Sequence, residues 1–277
     1  MTVYPFSLAL GPITLTGYGL MMMAAFLLAG WAIQLDLRGR GLNEEFASDL
    51  ILGGVVGGLI GAKLWYVALT GEGLFARGGF VWYGGFLGGV AGVLLAGRLR
   101  RVPTRFTLDL CSAPLALGYA LGRVGCFLVN DDYGLPSTLP WAMKFPHGLP
   151  PSSVAHLTTA GASFPPGMSP TEVVAVHPTQ LYETIVMFGV FTWLWHRRIR
   201  GHGTGGLAGW YFVLAGTERF LVEFVRAKDD RVLGHFTLAQ AASVALALAG
   251  AWLLYRARNA VALEPATLRM PRADGAS

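Results

Sequence analysis

Two arginines lie where an apolar chain should not carry charge. Arg123 falls in Leu121-Gly122-Arg123-Val124-Gly125-Cys126-Phe127-Leu128-Val129, inside an apolar segment that starts near Phe106. Arg219 falls in Glu218-Arg219-Phe220-Leu221-Val222-Glu223, inside another. A guanidinium at membrane depth costs roughly 3 kcal/mol or more unless it has a partner or lines a wet cavity. Its planar fork suits phosphate, so two arginines at matching depth point to an anion, and in a membrane to a phospholipid head group. Asp131 and Asp132 follow Arg123 where its segment leaves for water. His177 is a candidate proton acceptor near neutral pH. Glu218 and Glu223 flank Arg219 and would orient it. The competing reading is that each arginine pairs with an acid such as Glu183 or Glu223 only to hold helices together.

Composition says what must position these groups. Of 277 residues, 53% are hydrophobic and 13% are charged, about half the charge of a soluble domain. Several apolar runs approach the roughly 20 residues that cross a bilayer. The sequence therefore reads as an all-α integral membrane protein. The net charge of +5 resides in short clusters between apolar runs, which is a topology signal and argues against nucleic-acid binding. Cys111 and Cys126 share one apolar segment, so no disulfide framework is expected. Nothing precedes the first apolar run as a cleavable signal would, since Arg38 is the first basic residue.

Seven segments are expected: about 16–37, 46–69, 80–97, 106–129, 177–195, 207–225 and 236–255. Arg38 and Arg40, Arg98 to Arg105, and Arg197 to Arg200 mark cytoplasmic ends. The N-terminus is then outside and the C-terminus inside. Arg226, Lys228 and Arg231 break this rule, offset by Asp229 and Asp230. Residues 1–256 form one polytopic domain, and 257–277 a disordered cytoplasmic tail. A loop at about 130–176 holds more than half of the 15 prolines and is placed outside as a functional, lid-like element. Segments two and three each carry GGxxGGxxG, which lets helix backbones approach closely.

On this topology Arg123, Arg219, Tyr18, Tyr83, His177, Gln180, Asp131 and Asp132 all fall in the outer half. That clustering argues for one site open to the outer face. Tyr18 and Tyr83 also suit an interfacial aromatic belt, and Cys126 reads as a small packing residue. No metal-ligand spacing is present, and no cofactor is expected. A transporter would need polar groups along a through-path. An aspartyl protease built on Asp131 and Asp132 is disfavoured because adjacent side chains point apart.

Gly122 to Gly134, His177-Pro178-Thr179-Gln180-Leu181-Tyr182-Glu183 and Glu218 to Arg226 resemble the prolipoprotein diacylglyceryl transferases of bacterial inner membranes. Tyr18-Gly19-Leu20-Met21, Gly61 to Val67 and Tyr83 to Gly88 extend the resemblance from about Thr16 to Tyr255. It implies transfer of a diacylglyceryl group from phosphatidylglycerol to the lipobox cysteine of a prolipoprotein, with glycerol phosphate leaving. It implies that Arg123 and Arg219 grip the lipid phosphate. The substrate-binding set then includes Tyr18, Gly84, Gly85, Asp132, Gln180 and Glu223, and the reacting groups include Tyr83, His177 and Asp131. Tyr83 stands where many members have a histidine, Cys126 and Val129 where many have asparagines, and Asp131 where a glutamate is expected. With that histidine missing, the base falls to His177, to Asp131 with Asp132, or to arginine alone. The alternative is a phospholipid- or anion-binding membrane protein that does not react its ligand.

Overall fold

The structure, a computed structural model, describes the chain except residues 12, 76–78, 202, 228–230, 234–235, 264 and 270–277. The charges Lys228, Asp229 and Asp230 lie outside the described residues. Of the described residues, 64% are helical. In order, the helices are α1 (Gly17–Gly39), α2 (Glu45–Thr70), α3 (Trp82–Leu99), α4 (Thr104–Leu128), the short α5 (Val154–Thr159), α6 (Thr179–Gly201), α7 (Gly206–Val222) and α8 (Leu238–Ala257). The seven long ones match the expected segments to within a few residues. Four of them, α1, α2, α4 and α8, are long and apolar enough to cross a membrane on length and composition. α7 has only 17 residues, and α6 carries Glu183 and a basic end. α7 thus falls short in length, and polar residues lower the hydropathy of α6.

The helices alternate in direction, so two ends of the bundle can be followed. At one end, the Phe6 N–H bonds to the Leu128 carbonyl at 2.7 Å and the Gly17 N–H to the Phe6 carbonyl at 2.9 Å. That brings the start of α1 to the end of α4. The start of α6 and the end of α7 join them, as the Gly134 N–H reaches the His177 carbonyl at 2.8 Å and the Leu135 N–H the Val225 carbonyl at 2.8 Å. This is called the site end below.

At the opposite end, Asp109 of α4 caps α7. Its two oxygens accept from the backbone N–H groups of Gly205 at 2.8 Å and Ala208 at 3.0 Å. A carboxylate satisfies orphan amides and opposes the helix dipole there, which explains an acid inside an apolar helix. The chain after α8 returns to this end. Leu268 is buried among Leu37, Leu42 and Phe46, and the Asn43 N–H bonds to its carbonyl at 2.8 Å. The tail is thus held at 265–269 and does not hang free from residue 257.

Two packing styles build the bundle. α2 and α3 touch backbone to backbone: a Cβ on Gly92 would lie 2.0 Å from the Gly53 carbonyl oxygen, and one on Gly57 2.3 Å from that of Gly88. Without a strong hydrophobic drive between helices in lipid, such close approach supplies the van der Waals contact. α4, α6 and α7 instead interleave large side chains, with Met187 and Leu194 buried against Ala116 and Ala120. α4 tolerates Pro114 in its interior.

Beyond the helices, residues 130–176 fold into a head with its own core of Tyr133, Phe145, Leu157 and Val176. Tyr133 stacks on Phe145 at 5.4 Å between ring centroids, and its hydroxyl donates to the Pro150 carbonyl at 2.8 Å. α5 lies in this head, capped by Ser153, whose hydroxyl accepts from the His156 N–H. The N-terminus adds to it through the Val3 N–H and the Lys144 carbonyl at 2.9 Å. Near the N-terminus, β1 (Ser7–Leu10) and β2 (Ile13–Thr16) pair in an antiparallel hairpin. β3 (Arg231–Leu233) and β4 (Phe236–Thr237) make a second, smaller ladder before α8.

Candidate active site

The turn that ends α4 sets the site. The Asp131 N–H bonds back to the Cys126 carbonyl at 3.0 Å, and Asn130 adopts a left-handed φ of 61°. Asn and Asp tolerate that conformation better than most residues, and it closes a helix by satisfying its last carbonyls. Asp132 is left-handed too, at φ 61°. The chain thereby doubles back under Arg123. Gly134 then passes so close to α7's exit that a Cβ would lie 2.4 Å from the Val225 carbonyl oxygen.

Arg123 is held by two carboxylates. Its Nη2 donates to Glu183 of α6 at 2.5 Å, and its Nη1 to Asp132 at 3.0 Å. The same Nη1 lies 3.5 Å from the Cys126 sulfur. Cys126 therefore packs beside the guanidinium. The Arg123 Nε is buried with no hydrogen-bond partner. Glu183 is 1% exposed, and its other oxygen accepts from the Tyr119 hydroxyl at 2.6 Å. Tyr119 lies 3.5 Å from Glu218 of α7 as well. Asp132 turns its second oxygen to Arg226, whose Nη2 donates at 2.6 Å.

Arg219 of α7 and Glu223, which opens the 3-10 turn after it, make a second pair four residues apart, with 2.5 Å between Nη1 and Oε2. Their angles do not make a hydrogen bond, and both atoms stay unsatisfied. Buried polar atoms are nearly always paired in native folds, so unsatisfied ones mark a strained or ligand-seeking place. Glu218 feels the charges of Arg219, Arg123 and Glu183 together, so the two arginines belong to one electrostatic cluster.

His177 and Gln180 come to the same end. The Gln180 amide donates to the Asp131 carbonyl at 2.6 Å, and the Thr179 hydroxyl to the Asp132 carbonyl at 2.8 Å. His177 Nδ1 lies 3.2 Å from the Tyr182 hydroxyl, to which Trp141 also donates at 2.8 Å. Partial burial pulls the His177 pKa below its ordinary 6.5, so the ring is neutral at pH 7. It lines an apolar groove of about 530 Å3 between α6 and α7, together with Glu218, Tyr182, Val186 and Leu221.

A family model for prolipoprotein diacylglyceryl transferase matches residues 5–256. The chain belongs to the prolipoprotein diacylglyceryl transferase family. It is 31% identical to the phosphatidylglycerol–prolipoprotein diacylglyceryl transferase of Nitratidesulfovibrio vulgaris, over 92% of this chain and 94% of that one. It is 33% identical to the enzyme of the same name from Xanthomonas campestris, over 94% and 93%. It is thus a transferase of lipoprotein maturation.

Within this family member the candidate residues divide. Arg123, Arg219, Asp131, Asp132, His177, Gln180 and Glu223 gather at the site end. Tyr18 of α1 joins them: a Cβ on Gly125 would lie 3.3 Å from the Tyr18 Cα, and Tyr18 feels Arg123, Asp131 and Asp132. Tyr83 stands half-exposed in the first turn of α3. Gly84 and Gly85 face α2, against Gly61, Trp65 and Ala62. Their surroundings are those of helix packing.

Three neighbours of the arginines carry no site role in the sequence reading. Glu183 is expected there only as a pairing acid, and it does pair with Arg123. Tyr119 carries one usable signal, its spacing of four residues from Arg123 on one helix face. Arg226 reads only as a misplaced topology charge, because nothing in the sequence says that the chain folds it back onto Asp132.

Proposed function

We propose that this transferase moves the diacylglyceryl group of phosphatidylglycerol onto the lipobox cysteine thiol of a prolipoprotein, releasing glycerol phosphate. The observation that carries the reading is the convergence of Arg123 and Arg219 at one end of the bundle, beside a groove that opens between apolar helix faces. Guanidiniums there stabilise the charge that grows on the departing phosphate ester. The attacking species is the thiolate. His177, neutral and held by Tyr182, is placed to accept the thiol proton, with Asp131 as the second candidate. Lipid and peptide held together in a site screened from water react as neighbours, which removes much of the entropy of encounter.

In the same reading all seven long helices cross the inner membrane, with the N-terminus outside and the C-terminus inside. The support is charge: Arg98, Arg100, Arg101, Arg105 and Arg197 lie at the end opposite the site. The site then faces the periplasm, where the head meets the peptide. A transporter is less well supported, because the ion-paired cluster around Arg123 occupies one end and no comparable chain of charges runs through the bundle among the described residues.

The deciding experiment incubates purified protein with phosphatidylglycerol and a lipobox peptide. A diacylglyceryl-peptide is expected, and its loss in both Arg123→Ala and Arg219→Ala supports the phosphate site. A folded, lipid-binding protein that makes no product would instead make this a binder.

A further inference from the structure

The Arg123 site already holds an anion of its own. Three guanidiniums, those of Arg123, Arg219 and Arg226, face the carboxylates of Asp132, Glu183, Glu218 and Glu223. The acids are at least as numerous as the cations, and both Nη atoms of Arg123 are taken by carboxylates, so a phosphate gains either of those donors by replacing one of them.

The two partners of Arg123 differ in how easily they leave. Glu183 is 1% exposed, sits on a helix, and is tied by its second oxygen to Tyr119. Asp132 is 18% exposed, sits on the turn after α4, and makes the longer contact. Its second oxygen has a separate holder. Arg226 is 6% exposed, and its backbone is bridged to that of Gly134. Asp132 therefore has somewhere to stay when it releases Arg123.

We propose that Asp132 is a displaceable resident anion: the lipid phosphate takes its place on Arg123 Nη1, and Arg226 retains the displaced carboxylate. Arg226 is then a positioning residue, acting on the lipid through Asp132 and not by touching it. This inference rests on the phosphate reading of Arg123 given above. It predicts opposite signs for the two halves of one ion pair. Removing the charge of Asp132 removes a competitor, whereas removing Arg226 takes away the cation that holds the second oxygen of Asp132 and so ties it more firmly to Arg123. An ordinary structural ion pair shows the same sign from either side, because each loss strands the other partner.

The test titrates phosphatidylglycerol by mole fraction in phosphatidylcholine nanodiscs and measures KM and kcat with a lipobox peptide. The inhibition constant of added glycerol phosphate gives an independent measure of anion binding. Asp132→Asn should lower both KM and that inhibition constant about tenfold, and Arg226→Gln should raise both about tenfold, the scale of one charge-assisted hydrogen bond. The double variant should return within about twofold of wild type, and Arg226→Lys should restore much of what Arg226→Gln loses. If both single variants raise KM, or if Asp132→Asn changes only thermal stability, the exchange is wrong. Arg123→Lys separates the two ideas. If it leaves lipid KM and glycerol phosphate inhibition unchanged, the phosphate site itself is wrong and the exchange falls with it. If it raises both while Asp132→Asn lowers neither, only the exchange fails.

Discussion

The α2–α3 seam and the α4–α6–α7 seam solve the same problem with opposite means. In the first, glycines on both helices bring carbonyl oxygens within a Cβ's reach of the facing backbone, and no ion pair between α2 and α3 is described around Gly53, Gly57, Gly88 and Gly92. In the second, Tyr119, Arg123, Glu183 and Glu218 cross from helix to helix. A backbone seam tolerates no added atom, but it has no chemistry to lose. A charged seam tolerates conservative change in shape, but each partner it loses leaves a buried charge uncompensated, at about 3–5 kcal/mol.

The comparison breaks most sharply at Gly92. Gly92→Leu puts a side chain where the Gly53 carbonyl oxygen lies 2.0 Å from the Cβ position. Folded protein should be lost altogether, as overpacking of a seam with no flexible neighbour forces the helices apart. Yield and monodispersity in detergent report it, and a well-folded Gly92→Leu protein would show that the glycine seam is dispensable. Next comes Arg123→Lys. The charge stays, so Glu183 and Asp132 keep a partner, but the two-pronged fork is gone. Diacylglyceryl transfer should fall about 100-fold or more, the cost of losing one preorganised donor, while thermal stability shifts by only a few degrees. Equal loss of both would make Arg123 a strut of the second seam. Glu183→Gln sits between these effects. It leaves Arg123 short of a buried anion, so the melting temperature should drop with activity, in contrast to Arg123→Lys.

How much of this could be read from the residues follows the same division. The seven long helices were legible because their segments are continuous and mostly apolar, and the turns between them carry arginines and glycines. The glycine seam was legible too, since GGxxGGxxG states its own packing. The pairing of charges was not. Arg123 and Glu183 are far apart in the chain, and the sequence offers Glu183 and Glu223 equally as partners. The structure gives Glu183 to Arg123 and Glu223 to Arg219, because α6 packs along α4. The head was illegible for another reason. Its proline-rich chain has no period, and its core depends on contacts such as Tyr133 with Phe145 that no spacing announces. The hairpin of β1 and β2 did leave a trace, a Gly-Pro between two short alternating runs, of the kind that marks a turn.

The smallest expected effect lies where head and charged seam meet, at His177. Burial lowers its pKa from 6.5, and the same cause acts on His156 in the head. The sign follows from proton binding: between the folded pKa and 6.5 the unfolded chain holds more protons, so stability rises with pH there. The contribution is whole above about pH 6.5 and is lost as pH falls through the folded value. Mild acid should therefore soften the head before it touches the glycine seam. Hydrogen exchange at pH 7.5 and 5.5 checks this, with faster exchange at low pH expected in 130–176 and none in α2 or α3. His177→Gln should reduce that difference near the site and flatten the acid limb of the rate profile if the ring accepts the thiol proton. Full activity and an unchanged limb in His177→Gln would move the proton to Asp131, and the neutral ring would then be a wall of the groove and nothing more.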